Sequence, residues 1–228
     1  MGYFIYNNID SRQYGVLQKV PYRTRSEQSS SIISIPGKTE PIFKTVEQYK
    51  ETTLQMVLSV TSREKISEIY KWLSGTGILI LSDDLTKYYS VKVCSEIVPE
   101  YISVRTCQIP ISFTCKPFLY AVNDAFAEYG TTADIENNGT HYSEPIIKIY
   151  GTGDLTLTLN GEVWNLTNID GYITIDTQRK VVYKDNTLQL NKISRADGRI
   201  VFPCFNTGVN RISTTGTKLE VKKNERWL

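Results

Sequence analysis

The feature that most constrains this chain is a run of period-two alternation near its middle. Cys107, Ile109, Ile111, Phe113 and Cys115 alternate with Gln108, Pro110, Ser112, Thr114 and Lys116. Successive side chains of an extended strand point to opposite faces, so the run predicts a long strand with one apolar, core-facing side. The period recurs downstream. Leu155, Leu157 and Leu159 alternate with Thr156, Thr158 and Asn160, and Tyr172–Asp176 and Lys180–Tyr183 are strand-like too. Asn160-Gly161 and Asp170-Gly171 punctuate these runs, and such dipeptides tolerate the positive φ of tight hairpins.

One helix stands out against this background. Thr61-Ser62-Arg63-Glu64 has capping-box spacing, with Thr61 as N-cap and Glu64 reaching back. Ile66, Ile69, Tyr70 and Leu73 follow as one apolar stripe, and Gly75 is placed to end the helix. A strand pair is predicted next: Ile78–Leu81, a turn through Ser82-Asp83-Asp84, then Tyr88–Val93. Polar and small residues thicken over Asn123–Asn138, which predicts a linker. Beyond it, short strands with closely spaced turns predict a β-sandwich or barrel. The reading is therefore mainly β, with an N-terminal domain of residues 1–122 carrying one α-helix and a C-terminal domain of residues 123–228.

Composition narrows the function. With 228 residues, 40% apolar and 22% charged, the chain can build a real core. Lys and Arg number 26 against 24 Asp and Glu, interleaved, for a net charge of +2. No basic stripe marks a phosphate-gripping surface. Met1–Tyr6 has neither a basic nor a long apolar region, and no run approaches the roughly 18 apolar residues of a membrane helix. The expectation is a chain made in the cytoplasm without membrane insertion. The sequons Asn138-Gly139-Thr140 and Asn165-Leu166-Thr167 then read as turn chemistry, not glycosylation. Cys94, Cys107, Cys115 and Cys204 form no C-x-x-C pair and have no histidine nearby. Cys107 and Cys115 share the apolar face of the long strand and read as small buried hydrophobes, with no metal.

Catalytic patterns are missing from the sequence. The single histidine, His141, lies in a loop-like stretch, and no G-x-S-x-G elbow occurs. Asp83-Asp84 has the acids of an ion site, but a hairpin turn wants Asp for its own backbone bonds. Gly151-Thr152-Gly153-Asp154 leads into a strand and not into a helix whose amides could hold phosphate. Trp164, on a strand just past Asn160-Gly161, is the best candidate for stacking on a sugar, weighed against an ordinary half-buried sandwich aromatic.

Read in order, several segments carry a likeness over nearly the whole chain. They are Phe4–Asn7, Asp10–Val16, Ile35-Pro36-Gly37, the helix with Trp72-Leu73, Ser82-Asp83-Asp84 before Tyr88-Tyr89, and Lys116-Pro117-Phe118. In the second half they are Asn137–Thr140, Ser143–Gly151, Leu155–Gly161, Asp170-Gly171-Tyr172 with Ile175-Asp176, and Phe202-Pro203 with Gly208 and Asn210. Each motif is weak alone, and their order and spacing give the specificity. Together they resemble the distal tail protein family of siphophages that infect Gram-positive bacteria. Gln13 departs from the pattern, where the family often has an acid.

The resemblance implies a β-rich, ring-forming N-terminal domain and an outward-projecting, galectin-like C-terminal β-sandwich. It implies a non-enzymatic virion protein without cofactors at the distal end of the tail, assembled in the host cytoplasm. Six copies would form a ring linking the major tail tube protein to the tail-tip hub or tail-associated lysin. Receptor-binding or other adsorption proteins would attach outside, and DNA would only pass through the channel. The Ser-rich segment Gln18–Ile42 is expected to form a loop or hairpin lapping over the next subunit. Two other readings are a carbohydrate-binding module, carried by Trp164, and a tail-associated hydrolase. The hydrolase needs a carboxylate pair or metal site that no spacing marks.

Overall fold

The alternating run folds as predicted and organises the first half of the chain. The computed structural model describes every residue except 1, 19, 20, 22, 24, 38, 94, 95 and 196, so Cys94 lies outside the described residues. It is mainly β, with a single α-helix among the described residues. Those residues divide into two compact units, one of Met1–Val122 with Leu228 and one of Asn123–Trp227.

The first unit contains β1 (Phe4–Tyr6), β2 (Ile9–Asp10), β3 (Val16–Leu17), β4 (Gln28–Ile33), β5 (Ile42–Tyr49) and β6 (Thr52–Val60). The helix α1 (Ile66–Trp72) follows, then β7 (Thr76–Leu81), β8 (Asp84–Val93), β9 (Glu100–Tyr101) and β10 (Cys107–Ala121). The main antiparallel sheet runs β2-β1-β7-β8-β10-β6-β3, with β9 beside the start of β10. On β10, Cys107, Ile109, Ile111, Phe113 and Cys115 are all buried, and their neighbours are not. The two prolines of this strand sit where a missing N–H is tolerated. β9 reaches Cys107 and Gln108 and β8 begins pairing at Phe113, so neither of them pairs with Pro110. Pro117 falls in the register shift between Cys115 and Leu119.

The helix is shorter than its sequence signature and starts differently. Arg63–Lys65 form a 3-10 turn, and α1 begins at Ile66 with Lys65 as an N-cap that makes no side-chain cap bond. The Thr61–Glu64 capping box is thus displaced from the α-helical start: the tighter turn, closed by Lys65 N–H to Ser62 O at 3.3 Å, intervenes. Ile69 and Leu73 are buried as the stripe requires, but Tyr70 is exposed and Trp72 takes its place. Trp72 lies between Phe4 (5.4 Å) and Tyr14 (4.9 Å) and donates its indole N–H to Tyr6 O at 2.9 Å. Phe113 of β10 packs edge-on to Phe4, tying helix to sheet.

The second unit contains β11 (Ala127–Tyr129), β12 (Thr132–Asn137), β13 (Ile146–Tyr150), β14 (Gly153–Leu159), β15 (Glu162–Ile169) and β16 (Tyr172–Asp176). β17 (Val181–Lys184), β18 (Thr187–Leu188), β19 (Ile193–Arg195), β20 (Gly208–Thr214), β21 (Lys218–Lys222) and β22 (Arg226–Trp227) complete it. Two antiparallel sheets, β11-β21-β13-β16-β17-β18 and β12-β20-β14-β15-β19, enclose one core. The stretch Asn123–Asn138 is not a linker. It supplies β11 and β12, which pair with β21 and β20 and bury Ile135 and Asn137. Its alternate residues are polar because β12 is an edge strand with a solvent face. The Asn160-Gly161 turn has φ of 52° and 87°, the left-handed pair a two-residue hairpin needs.

Candidate interaction site

The acids and the histidine that chemistry would need are engaged in structure. Asp83 takes a bidentate pair from Arg23, Nε at 2.7 Å and Nη2 at 2.9 Å. Asp84 accepts from the Thr86 amide at 2.9 Å and from the Thr86 hydroxyl, and pairs with Lys87 at 3.1 Å. The Thr86 hydroxyl, helped by the Thr86 amide and Lys87, outweighs the burial penalty and lowers the Asp84 carboxyl to about 2. The backbone N–H of His141 donates to Arg226 O at 3.3 Å, and its ring lies 4.4 Å from that of Tyr142. Cys107 and Cys115 are buried thiols, and Cys204 is half-buried, its thiol raised by burial. Among the described residues, no three His, Cys, Asp or Glu side chains are grouped to hold a metal. No described helix is long and apolar enough to cross a membrane. Asp154, in the glycine-rich stretch, accepts from the Asn168 amide at 2.8 Å and serves the β14–β15 hairpin.

Trp164 is enclosed. Its residue exposure is 2%, and its indole N–H donates to Val201 O at 2.6 Å. It borders a recess of about 360 Å3 with Asn160, Phe202, Cys204 and Asn206, but its ring belongs to the core. Stacking needs an open ring face. Half-buried aromatics occur on the other sheet. Tyr150 and Tyr172, 5.8 Å apart, flank Lys148, whose Nζ lies 4.8 and 4.5 Å from their ring centres. Tyr150 donates to Glu220 at 2.8 Å, and Tyr172 to Asp185. Both tyrosines were legible only as strand residues; the cross-strand register Tyr150↔Tyr172 brings them together.

The most conspicuous surface lies in the first unit. Among the described residues β4 and β5 pair only with each other, a two-stranded ribbon apart from the main sheet. At its base, Ser26 Oγ donates to Pro117 O at 3.0 Å, and the Tyr49 and Phe118 rings meet at 5.4 Å. Lys50 N–H donates to Glu27 O at 2.9 Å. Toward its tip the ribbon exposes Ile32 (65%), Ile33 (44%), Ile35 (40%) and Ile42 (42%). Ile33 and Ile42 are directly opposed across the strands. Solvent-exposed isoleucines in a group mark a contact surface more than an accident of composition. A groove of about 820 Å3 opens elsewhere on the unit, against β6 and β10. Pro21, Val57 and Pro110 line it with Gln18, Thr53, Gln55, Ser112 and Glu96, while Leu54, Met56 and Ile111 at its floor have their side chains buried in the core.

The fold, mainly β in two units with a single helix among the described residues, is also found among solved structures. One of them is that of "SPP1 Dit (gp 19.1) Protein", described as a paradigm of hub adsorption apparatus in Gram-positive infecting phages. The two superpose with a TM-score of 0.81 over 100% of each chain at 13% sequence identity. No family model and no curated protein matches the sequence. The likeness read from short motifs is thus met at the level of fold.

Proposed function

We propose that this chain is a structural subunit of a phage tail tip, a distal tail protein that closes into a homo-oligomeric ring, most naturally of six copies. The full-length fold match to a hub adsorption protein supports this reading above all else. On it, the first unit forms the ring between the tail tube and the tip hub. The second, a galectin-like sandwich, carries contacts to adsorption proteins, and DNA passes through the centre. The chain is then non-catalytic, assembled in the host cytoplasm and carried at the distal end of the virion tail. The exposed isoleucines of the β4–β5 ribbon fit a protein that is complete only in assembly. The mass of the purified chain in solution, with class averages from electron microscopy, tests the reading. A closed ring is expected. A chain that stays monomeric at all micromolar concentrations, alone and with tube or hub protein, contradicts it.

A second reading is carbohydrate binding by the second unit. The half-buried Tyr150–Tyr172 pair favours it over the enclosed Trp164. Glycan-array binding that disappears in Tyr172→Ala would support it, and no binding to any glycan would dismiss it.

A further inference from the structure

We propose that the second unit forms its own amide cross-link between the side chains of Lys223 and Asn138, with Glu225 relaying the protons. The three side chains converge on one atom. Glu225 Oε1 accepts from Lys223 Nζ at 2.6 Å, from Asn138 Nδ2 at 3.1 Å and from the Asn138 backbone N–H at 3.0 Å. An ordinary ion pair needs only Lys223 and Glu225. Here a primary amine and a carboxamide rest on the same carboxylate oxygen. The Glu225 side chain is largely enclosed, 11% exposed against 30% for Lys223. The amine is held from a second direction too, since Lys223 Nζ donates to Glu136 O on β12 at 2.9 Å. Asn138 follows directly on β12 and Lys223 directly on β21, so both side chains leave from the ends of strands.

The reaction balances without an oxidant or a cofactor. Glu225 takes a proton from the Lys223 ammonium, and the freed lone pair attacks Asn138 Cγ while the carbonyl electrons move to Oδ1. Glu225 then passes that proton to Nδ2. The carbonyl re-forms, the Cγ–Nδ2 bond breaks, and the Nζ–Cγ amide remains. The second proton shed by Nζ also ends on the departing nitrogen, which leaves as ammonium. A group that moves protons must lie within about 2.6–3.2 Å of the atoms that carry them, and Glu225 does so for both nitrogens. Holding amine and amide side by side makes the encounter intramolecular. The rival nucleophile is the backbone nitrogen of Gly139, whose attack on the same Cγ would give a succinimide. Its N–H is tied to Asn137 Oδ1 at 3.0 Å. The cross-link closes a covalent ring over β13 to β21. Links across long stretches of chain restrict the unfolded state most.

The test is the intact mass of the purified full chain after prolonged incubation, followed by trypsin digestion and tandem mass spectrometry. The expected result is the loss of one ammonia, with Asn138 and Lys223 recovered in one cross-linked peptide and no cleavage after Lys223. Lys223→Arg keeps the positive charge at a partly exposed position but removes the primary amine. It should retain the full mass and melt at a lower temperature than the cross-linked chain. Glu225→Gln should also leave the two peptides separate, and if that variant does not fold, Lys223→Arg decides alone. An unchanged mass with separate peptides overturns the proposal. So does an ammonia loss that persists in Lys223→Arg, which assigns a succinimide at Asn138-Gly139. A cross-link formed as readily in folded Glu225→Gln overturns the proton relay.

Discussion

The two units handle their apolar surface differently. The second seals its core between two sheets and ties its loops with asparagines. Asn137 donates to the carbonyls of His141 and Asn206, and Asn210 donates to Asn206 O and accepts from Asn160 and Asn206. At Gly139 a Cβ would lie 2.4 Å from Arg226 O, so only glycine lets the backbone pass there. The first unit has an equally buried aromatic centre around Trp72, yet it sends a ribbon of exposed isoleucines into solvent. The second unit exposes apolar residues too, Leu188 and Val209 among them, so the difference is one of arrangement: the first unit gathers its exposed isoleucines on one ribbon.

The sharpest way to break this comparison is to separate the units. Residues 123–228 expressed alone should give a folded monomer, and residues 1–122 alone should fold and assemble. Light scattering of both decides it. Insoluble or monomeric 1–122, with rings from the full chain, would show that the second unit takes part in the ring.

Core truncations come next. Trp164→Ala should cost about 3–5 kcal/mol, because it removes the largest fully buried side chain and strands the Val201 carbonyl. A melting curve near wild type would show that the ring is not the core element described. In the first unit Ile69→Ala should cost about 2–5 kcal/mol in denaturant melts. Thr61→Ala, by contrast, should change stability by less than about 0.5 kcal/mol, since Thr61 is exposed and does not cap α1. A loss near 1 kcal/mol for Thr61→Ala would restore the capping box.

The smallest effect concerns pH. The Asp84 carboxyl is lowered from 3.8 to about 2 by the fold, so its stabilising contribution is present above pH 3.8 and is lost as pH falls through about 2. Asp84→Asn should therefore differ from wild type in melting temperature at about pH 4, and the gap should close toward about pH 2. A gap that stays constant over this range would mean that the Thr86 and Lys87 contacts do not hold the charged form.

Much of the fold was legible locally. Period-two runs gave β10, β14 and β16, and Asn160-Gly161 gave its hairpin, because pleat and turn chemistry act over a few residues. The misread segments turn on distant partners. Asn123–Asn138 looked like a linker because edge strands keep polar faces, and only pairing with β20 and β21 makes them strands. Trp164 stood as a sugar-stacking candidate beside the reading of an ordinary sandwich aromatic, because one strand position cannot say which face another sheet will cover. Tyr70 stays exposed and Trp72 is buried because Phe4 and Tyr14, distant in sequence, cover the Trp72 ring. By itself, then, the sequence determined strands, turns, one helix and the lack of catalytic spacing. The tertiary structure decided which aromatics are core, where the isoleucine ribbon stands free and where a groove opens. Those depend on burial, which is set by surfaces brought together across the chain and not by any residue's neighbours in it.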